Sequence, residues 1–173
     1  MAKLADFKGQ FTEGGARANQ FEVQMTFAYG AALTEFTFLC KAASLPASSV
    51  GTAPVMYRGK PSNFAGDRTF QPWNVTVYNE TSFSIRNKFE LWSQSITQYR
   101  STTGDTTRAI YSGTATVTQL DKNNNALKSY IFDSLWPAEI GEISLSYDSN
   151  DQIEEFPVTL QHDGFYPSGM AAE

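Results

Sequence analysis

The sequence predicts a mainly β fold, an antiparallel β-sandwich or barrel carrying one α-helix, on three observations. Apolar and polar residues alternate over several short segments, the pattern of strands with one face buried. Clusters of Gly, Pro, Asn, Asp and Ser separate those segments, and such residues supply the backbone conformations that turns require. A single stretch has helical period. With 173 residues, 41% of them hydrophobic and 18% charged, the chain is sized for one domain with its own core.

Residues 1–19 show little pattern and read as an N-terminal arm ahead of a single domain over 20–161. Phe21, Val23, Met25 and Phe27 alternate with Gln20, Glu22, Gln24 and Thr26, giving a first strand whose expected partner is 36–40, across a hairpin loop containing Gly30. Residues 45–67 carry Pro46, Gly51, Pro54, Gly59, Pro61 and Gly66 around a short strand-like Val55-Met56-Tyr57, and so read as a long loop. Loops of that length inside a compact domain tend to be functional. The next strand covers 70–78, with Trp73, Val75 and Val77 on one face.

Ile85, Phe89, Trp92, Ile96 and Tyr99 then step by four, three, four and three, which predicts an amphipathic helix over 82–100. Asn79, Thr81 or Ser82 would cap its start, and Ser101-Thr102-Thr103-Gly104 would end it. Segments 114–120 and 127–134 read as a hairpin across Asp121-Lys122-Asn123-Asn124-Asn125. A second hairpin is expected between 143–147 and 156–160, across Asp148-Ser149-Asn150-Asp151. Residues 162–173 read as a C-terminal tail.

Composition narrows the function. The formal net charge of -5 argues against a grip on nucleic acid, which needs clustered Lys and Arg to displace counterions. Cys40 is the single cysteine, so the chain has no internal disulfide, and a reducing compartment is the natural fit. The sequence shows neither a secretory h-region nor 18 consecutive apolar residues, so a chain without a membrane span, made in the cytoplasm, is expected.

His162, the single histidine, sits in the irregular C-terminal end beside Asp163, and sequence neighbours do not make a triad. Asp121-x-Asn123-x-Asn125 and Asp148-x-Asn150-x-Gln152 open like calcium loops but lack the later glycine and glutamate, so hairpin turns are expected. Glu154 and Glu155 are adjacent and would point to opposite faces of a strand, so they cannot share a catalytic site. Neither an enzyme nor a bound metal or cofactor is expected.

Three blocks, in fixed order and spacing, carry a resemblance. The first is 36–46, from Phe36-Thr37-Phe38 to the exit Leu45-Pro46; the second is Ala65-Gly66-Asp67-Arg68-Thr69-Phe70, closed by Trp73-Asn74-Val75-Thr76-Val77. The third is Leu135-Trp136-Pro137-Ala138-Glu139-Ile140-Gly141-Glu142-Ile143 followed by 148–160. Arg86 and Lys88-Phe89-Glu90-Leu91-Trp92 fall between the second and third. From about residue 21 to about residue 160 the chain resembles the tail tube proteins of contractile-tailed, myovirus-type bacteriophages.

The resemblance implies a structural virion protein whose hexameric rings stack into the inner tail tube, with strands of each subunit joining a ring-wide barrel around the lumen. It implies as partners other copies of the chain, the tail sheath protein, the tape-measure protein, and the baseplate tube-initiator and tail terminator proteins, with DNA passing through unheld. It places the chain in the virion tail, assembled in the host cytoplasm. The 45–67 segment would then reach the adjacent ring, with Pro46, Val50, Pro54, Tyr57, Arg58, Asp67 and Arg68 as its candidate contacts. Glu22, Glu142 and Glu154, acids alternating with apolar residues, are candidates for lumen charge. Two other readings fit the same residues: the inner tube of a phage-like contractile injection machine, and a monomeric β-sandwich that binds a ligand.

Overall fold

A computed structural model describes residues 4, 9, 15–27 and 34–169. Nine strands and three short or medium helices make up the described part. Two antiparallel sheets face each other and share one long strand. The first sheet runs in the order β1 (Phe21–Thr26), β6 (Gly113–Leu120), the first part of β7 (Ala126–Ile140) and β9 (Gly164–Pro167). The second runs from the last part of β7 through β8 (Glu155–Gln161) and β5 (Trp73–Tyr78) to β2 (Cys40–Ala43). The strand β7 changes sheets at Ser134, whose φ of 55° bends the backbone: up to Leu135 it pairs with β6 and β9, and from Trp136 with β8. Strands that switch sheets through a bend make the corners of such sandwiches.

The period-2 pattern sets which side chains fill the space between the sheets. Val23 and Met25 of β1, Ala115 and Val117 of β6, and Phe132 and Leu135 of β7 meet Trp73, Val75, Val77, Phe156, Val158 and Leu160 of the second sheet, all buried. Phe132 stacks on Trp73 with ring centroids 4.4 Å apart, joining one sheet to the other. The helix α2 (Ser84–Ile96) adds Ile85, Phe89 and Trp92 to this core from the stripe its sequence predicts. Trp92 donates its indole N–H to the carbonyl of Tyr111, which holds α3 (Arg108–Tyr111) beside it. Arg86 clamps the helix to the second sheet: Nε reaches Glu90, Nη1 donates to the Gly141 carbonyl at 3.1 Å, and the guanidinium lies 5.1 Å from the Phe156 ring centroid.

Several elements differ from expectation. Residues expected as a strand over 36–40 form the helix α1 (Thr34–Leu39), and β2 begins only at Cys40 and pairs with β5. The buried Phe36 and Cys40 and the half-buried Leu39 follow an i, i+3, i+4 spacing, which is helical. The true partner of β1 is β6, and Gly30, the expected hairpin glycine, lies outside the described residues. The helix α2 stops at Ile96, short of Tyr99, and begins after Phe83 at φ 54°; of the three expected caps, Ser82 Oγ accepts the backbone N–H of Ser84 at 3.3 Å. Residues 143–147 are not a strand, because both edges of β8 are already taken by β5 and β7. The expected tail contributes β9, whose Phe165 packs on the core.

The long loop expected over 45–67 is a hairpin of β3 (Ser48–Tyr57) and β4 (Lys60–Phe70). Its two-residue turn has Arg58 at φ 48° and Gly59 at φ 83°, the positive values of a type I′ connection whose twist matches the strands it joins. Pro54 and Pro61 are tolerated because each strand of an isolated ribbon has one unpaired edge, where a missing N–H costs nothing. No apolar alternation announces these strands because both faces meet solvent.

Candidate functional site

Three surface features can carry a function, and each follows from the topology. The first is the β3–β4 hairpin. Its strands pack on each other, and every residue from Ser48 to Phe70 that lies in a strand is exposed except Gly66 and Phe70. Val50, Pro54, Tyr57, Arg58 and Asp67, expected in a loop, and Arg68, expected where that loop enters a strand, are strand or turn residues of this ribbon, and Pro46 is half-buried just ahead of it. Near the tip, Met56 is 66% and Tyr57 68% exposed, with Arg58 stacked 5.4 Å over the Tyr57 ring and Lys60 beside it. Arg68 donates to Ser48 Oγ at 3.1 Å, tying the two strands near the root, and Ser49 and Thr69 share a hydroxyl contact at 2.7 Å. A register shift between Val50 and Thr52 sits opposite Gly66, where a Cβ would come within 3.1 Å of the Gly51 backbone.

At the root, Phe70 packs edge-on against Phe165 at 5.2 Å, and His162 Nε2 lies 3.0 Å from the Gln71 carbonyl. His162 faces Phe132 at 5.0 Å, so this histidine anchors an aromatic cluster. Its sequence neighbour Asp163 turns away to pair with Arg108. Ribbon and sandwich are therefore joined at one end of the second sheet, where Trp73 also donates to the Ser44 carbonyl at 2.9 Å.

The second feature is the outward face of the first sheet. Register places Glu22 beside Thr118 and Ser129, Gln24 beside Thr116, Ile131 and Tyr166, and Thr26 beside Thr114. Thr118 and Ser129 hydroxyls lie 2.9 Å apart on it. The strand positions on this face carry hydroxyls, the amide of Gln24, the apolar Ile131 and the acids Glu22 and Asp133, and no lysine or arginine. Among the described residues, β1 and β9 each have a strand on one side only, so this sheet is open at both edges.

The third feature is an open hollow of about 910 Å³ at the far end of the second sheet, walled by residues between Glu142 and Glu154 and by Lys41, Tyr78 and Glu155. Lys41 pairs with Glu155, and Asn79 donates to Glu154 at 2.8 Å. Glu142 and Glu154 both line it, whereas Glu22 stands apart on the first sheet, so the structure does not bring the three acids together. On the walling segment Leu145 is 78%, Tyr147 104% and Ile153 70% exposed.

The remaining polar groups serve the fold. Asp121 accepts from the backbone N–H of Asn123 at 2.7 Å and of Asn125 at 2.8 Å, and from Asn125 Nδ2 at 2.9 Å. These bonds, that of the Asn125 side chain foremost, hold its carboxyl below the usual Asp value. Its oxygens are thus occupied in closing the β6–β7 turn. Burial pushes the Cys40 thiol up to about 12, so it stays protonated. Among the described residues no three His, Cys, Asp or Glu side chains cluster as metal ligands, and no helix is long and apolar enough to cross a membrane.

The family model for phage tail tube proteins matches residues 16–168, the whole sandwich together with its hairpin. The chain belongs to the phage tail tube protein family. It is 40% identical over 151 residues to tail tube protein gp19 of Enterobacteria phage T4, covering 86% of this chain and 89% of the relative. A tail tube protein of Serratia phage KSP90 is 26% identical over 168 residues, covering 94% of this chain and 95% of the relative. A chain of the anti-feeding prophage baseplate shares the fold at a TM-score of 0.67 and 9% identity, over 91% of this chain and 98% of that one. The role of a tail tube protein is structural, and this chain is a tube protein of a contractile tail.

The tube hairpin was missed in the sequence, although Arg58-Gly59 between Val55-Met56-Tyr57 and a following run without helical period is a readable turn signal. The open sheet edges had no such signal, since pairing partners are set by the whole topology.

Proposed function

We propose that copies of this chain form hexameric rings that stack into the inner tube of a contractile tail, with the outward face of the first sheet lining the lumen. The observation that carries this reading is the sheet with two open edges. An open edge is a row of unpaired N–H and C=O groups that natural proteins cover or pair. Pairing β1 of one subunit with β9 of the next satisfies both edges at once and, being heterologous, continues around a ring. Among the described residues the second sheet is continuous with the first at the β7 corner and has β2 as its outer strand. With four strands from each of six subunits, the barrel has about two dozen strands spaced about 4.8 Å apart. At a tilt of about 40° it is roughly 50 Å across, wide enough for duplex DNA.

The chemistry of the lining agrees with passage. Each phosphate neutralised by a cation adds salt-dependent affinity, which opposes movement. A wall of hydroxyls with Gln24, Ile131, Glu22 and Asp133 offers DNA no such cation. The β3–β4 hairpin leaves the sandwich as a ribbon of exposed side chains and reaches the adjacent ring. The sheath, the tape-measure protein, the baseplate initiator and the terminator are the partners this position in the tail implies, with assembly in the host cytoplasm.

Sedimentation and electron microscopy of the purified full chain test the reading. Hollow tubes or stacked rings are expected. A strictly monomeric species at high concentration and moderate salt would refute it, and would favour a monomeric β-sandwich.

A further inference from the structure

We infer that the tip of the β3–β4 hairpin docks into the acidic hollow beneath 141–154 of a second copy in the adjacent ring. This inference rests on the reading that the hairpin joins rings, and adds where it lands.

Position comes first. The hairpin leaves the second sheet at the end marked by Ser44, Trp73 and Gln71, while the hollow opens at the other end of the same strand, beside Tyr78, Glu154 and Glu155. The strand β5 spans the six residues between, roughly 20 Å. The root of the ribbon and the receiving hollow thus lie at opposite ends of the second sheet. That is the arrangement a head-to-tail, non-closing stack requires, since each copy then offers its tip in one axial direction and its hollow in the other. With ten residues in β3, the ribbon extends about 30 Å, long enough to pass beyond the subunit that bears it.

Chemistry comes second, and it is complementary. The turn presents Arg58 and Lys60, neither of which has a carboxylate partner among the described residues. The hollow presents Glu142 and Asp151, likewise without a cation, beside Glu154. Around the tip cations stand exposed Val55, Met56 and Tyr57; around the hollow stand exposed Leu145 and Ile153 with Tyr147 nearby. Apolar side chains this exposed, next to unpaired charges on both surfaces, mark an interface whose core excludes water and whose charges set direction and register. A second copy is the occupant because this chain carries the matching surface itself.

Charge reversal on each side, then on both, is the decisive experiment, read as the concentration at which full-length chain forms polymer in sedimentation and electron microscopy. Arg58→Glu with Lys60→Glu should raise that concentration at least tenfold, as should Glu142→Lys with Asp151→Lys. The chain carrying all four substitutions should polymerise again within about threefold of the native protein. If the hairpin reversal blocks assembly while the hollow reversal does not, and the fourfold chain stays blocked, the hairpin joins rings but lands elsewhere, and the inference fails alone. If the hairpin reversal changes nothing, or the native chain never polymerises, the inter-ring reading falls with it. A Tyr57→Cys, Ile153→Cys chain gives an independent readout. Oxidation should link successive copies into a ladder on a non-reducing gel, and absence of a ladder from formed tubes overturns the contact.

Discussion

Replacing Phe132 by Ala tests which face of the first sheet is inside, and with it the assignment of the lumen. Phe132 is fully buried, stacked on Trp73 of the opposite sheet at 4.4 Å and within 5.0 Å of His162 and 5.9 Å of Phe165 by ring centroids. Truncating a buried Phe to Ala costs about 3–5 kcal/mol through lost burial and the cavity left behind. The ring contacts push the figure toward the upper end, since aromatic pairs add about 0.5–1.5 kcal/mol beyond their area. Against a total of about 5–15 kcal/mol for a domain, that is a large part of its stability. At about 2–4 °C per kcal/mol for a chain of this size, melting should fall by roughly 10–15 °C. The neighbouring Ile131 points to the outward face, so Ile131→Ala should cost about 1 kcal/mol or less. The assay is urea unfolding of unpolymerised subunit at low concentration, because ring contacts would themselves stabilise the fold. A Phe132→Ala loss below about 1 kcal/mol, or an Ile131→Ala loss as large as that of Phe132→Ala, would refute the face assignment.

Three further outcomes are expected. Glu22→Lys with Asp133→Lys should leave rings intact but slow genome ejection, and the defect should ease as salt rises and screens the attraction; equal rates at low and high salt would show that lumen charge is not what keeps DNA moving. Arg68→Ala removes a single exposed bond to Ser48, so subunit melting should shift by no more than about 2 °C while polymer yield falls through a looser ribbon; unchanged tubes would leave Arg68 without a role. Because the turn bonds depress the Asp121 carboxyl, the stability it adds is present above its unfolded value and is lost as pH falls through its folded one. Asp121→Ala should therefore melt lower than the native chain at pH 7, with the gap closing below about pH 4; a gap constant with pH would exclude the carboxylate as its source.

Alternation in Val23 and Met25, in Val75 and Val77, and in Phe156, Val158 and Leu160 was enough to predict a sandwich, because a face that leaves water must be apolar wherever the strand sits. The stripe Ile85, Phe89 and Trp92 predicted the helix for the same reason. These are local consequences of burial, and local sequence carries them. Helix over 36–39 was hidden because a run of mixed apolar residues fits either period when it is short.

The pairing of β1 with β6, the corner at Ser134 and the addition of β9 were decided only by the tertiary structure. Backbone hydrogen bonds between strands are the same whichever residues make them, so a strand's pattern names its face and not its neighbour. The hairpin shows the converse limit: with both faces in solvent it had no burial to pattern its sequence, and only its turn residues and its backbone pairing define it. Which sheet keeps two open edges, and which end of the molecule bears the ribbon and which the hollow, are likewise properties of the folded arrangement, because they depend on what lies beside each strand in space.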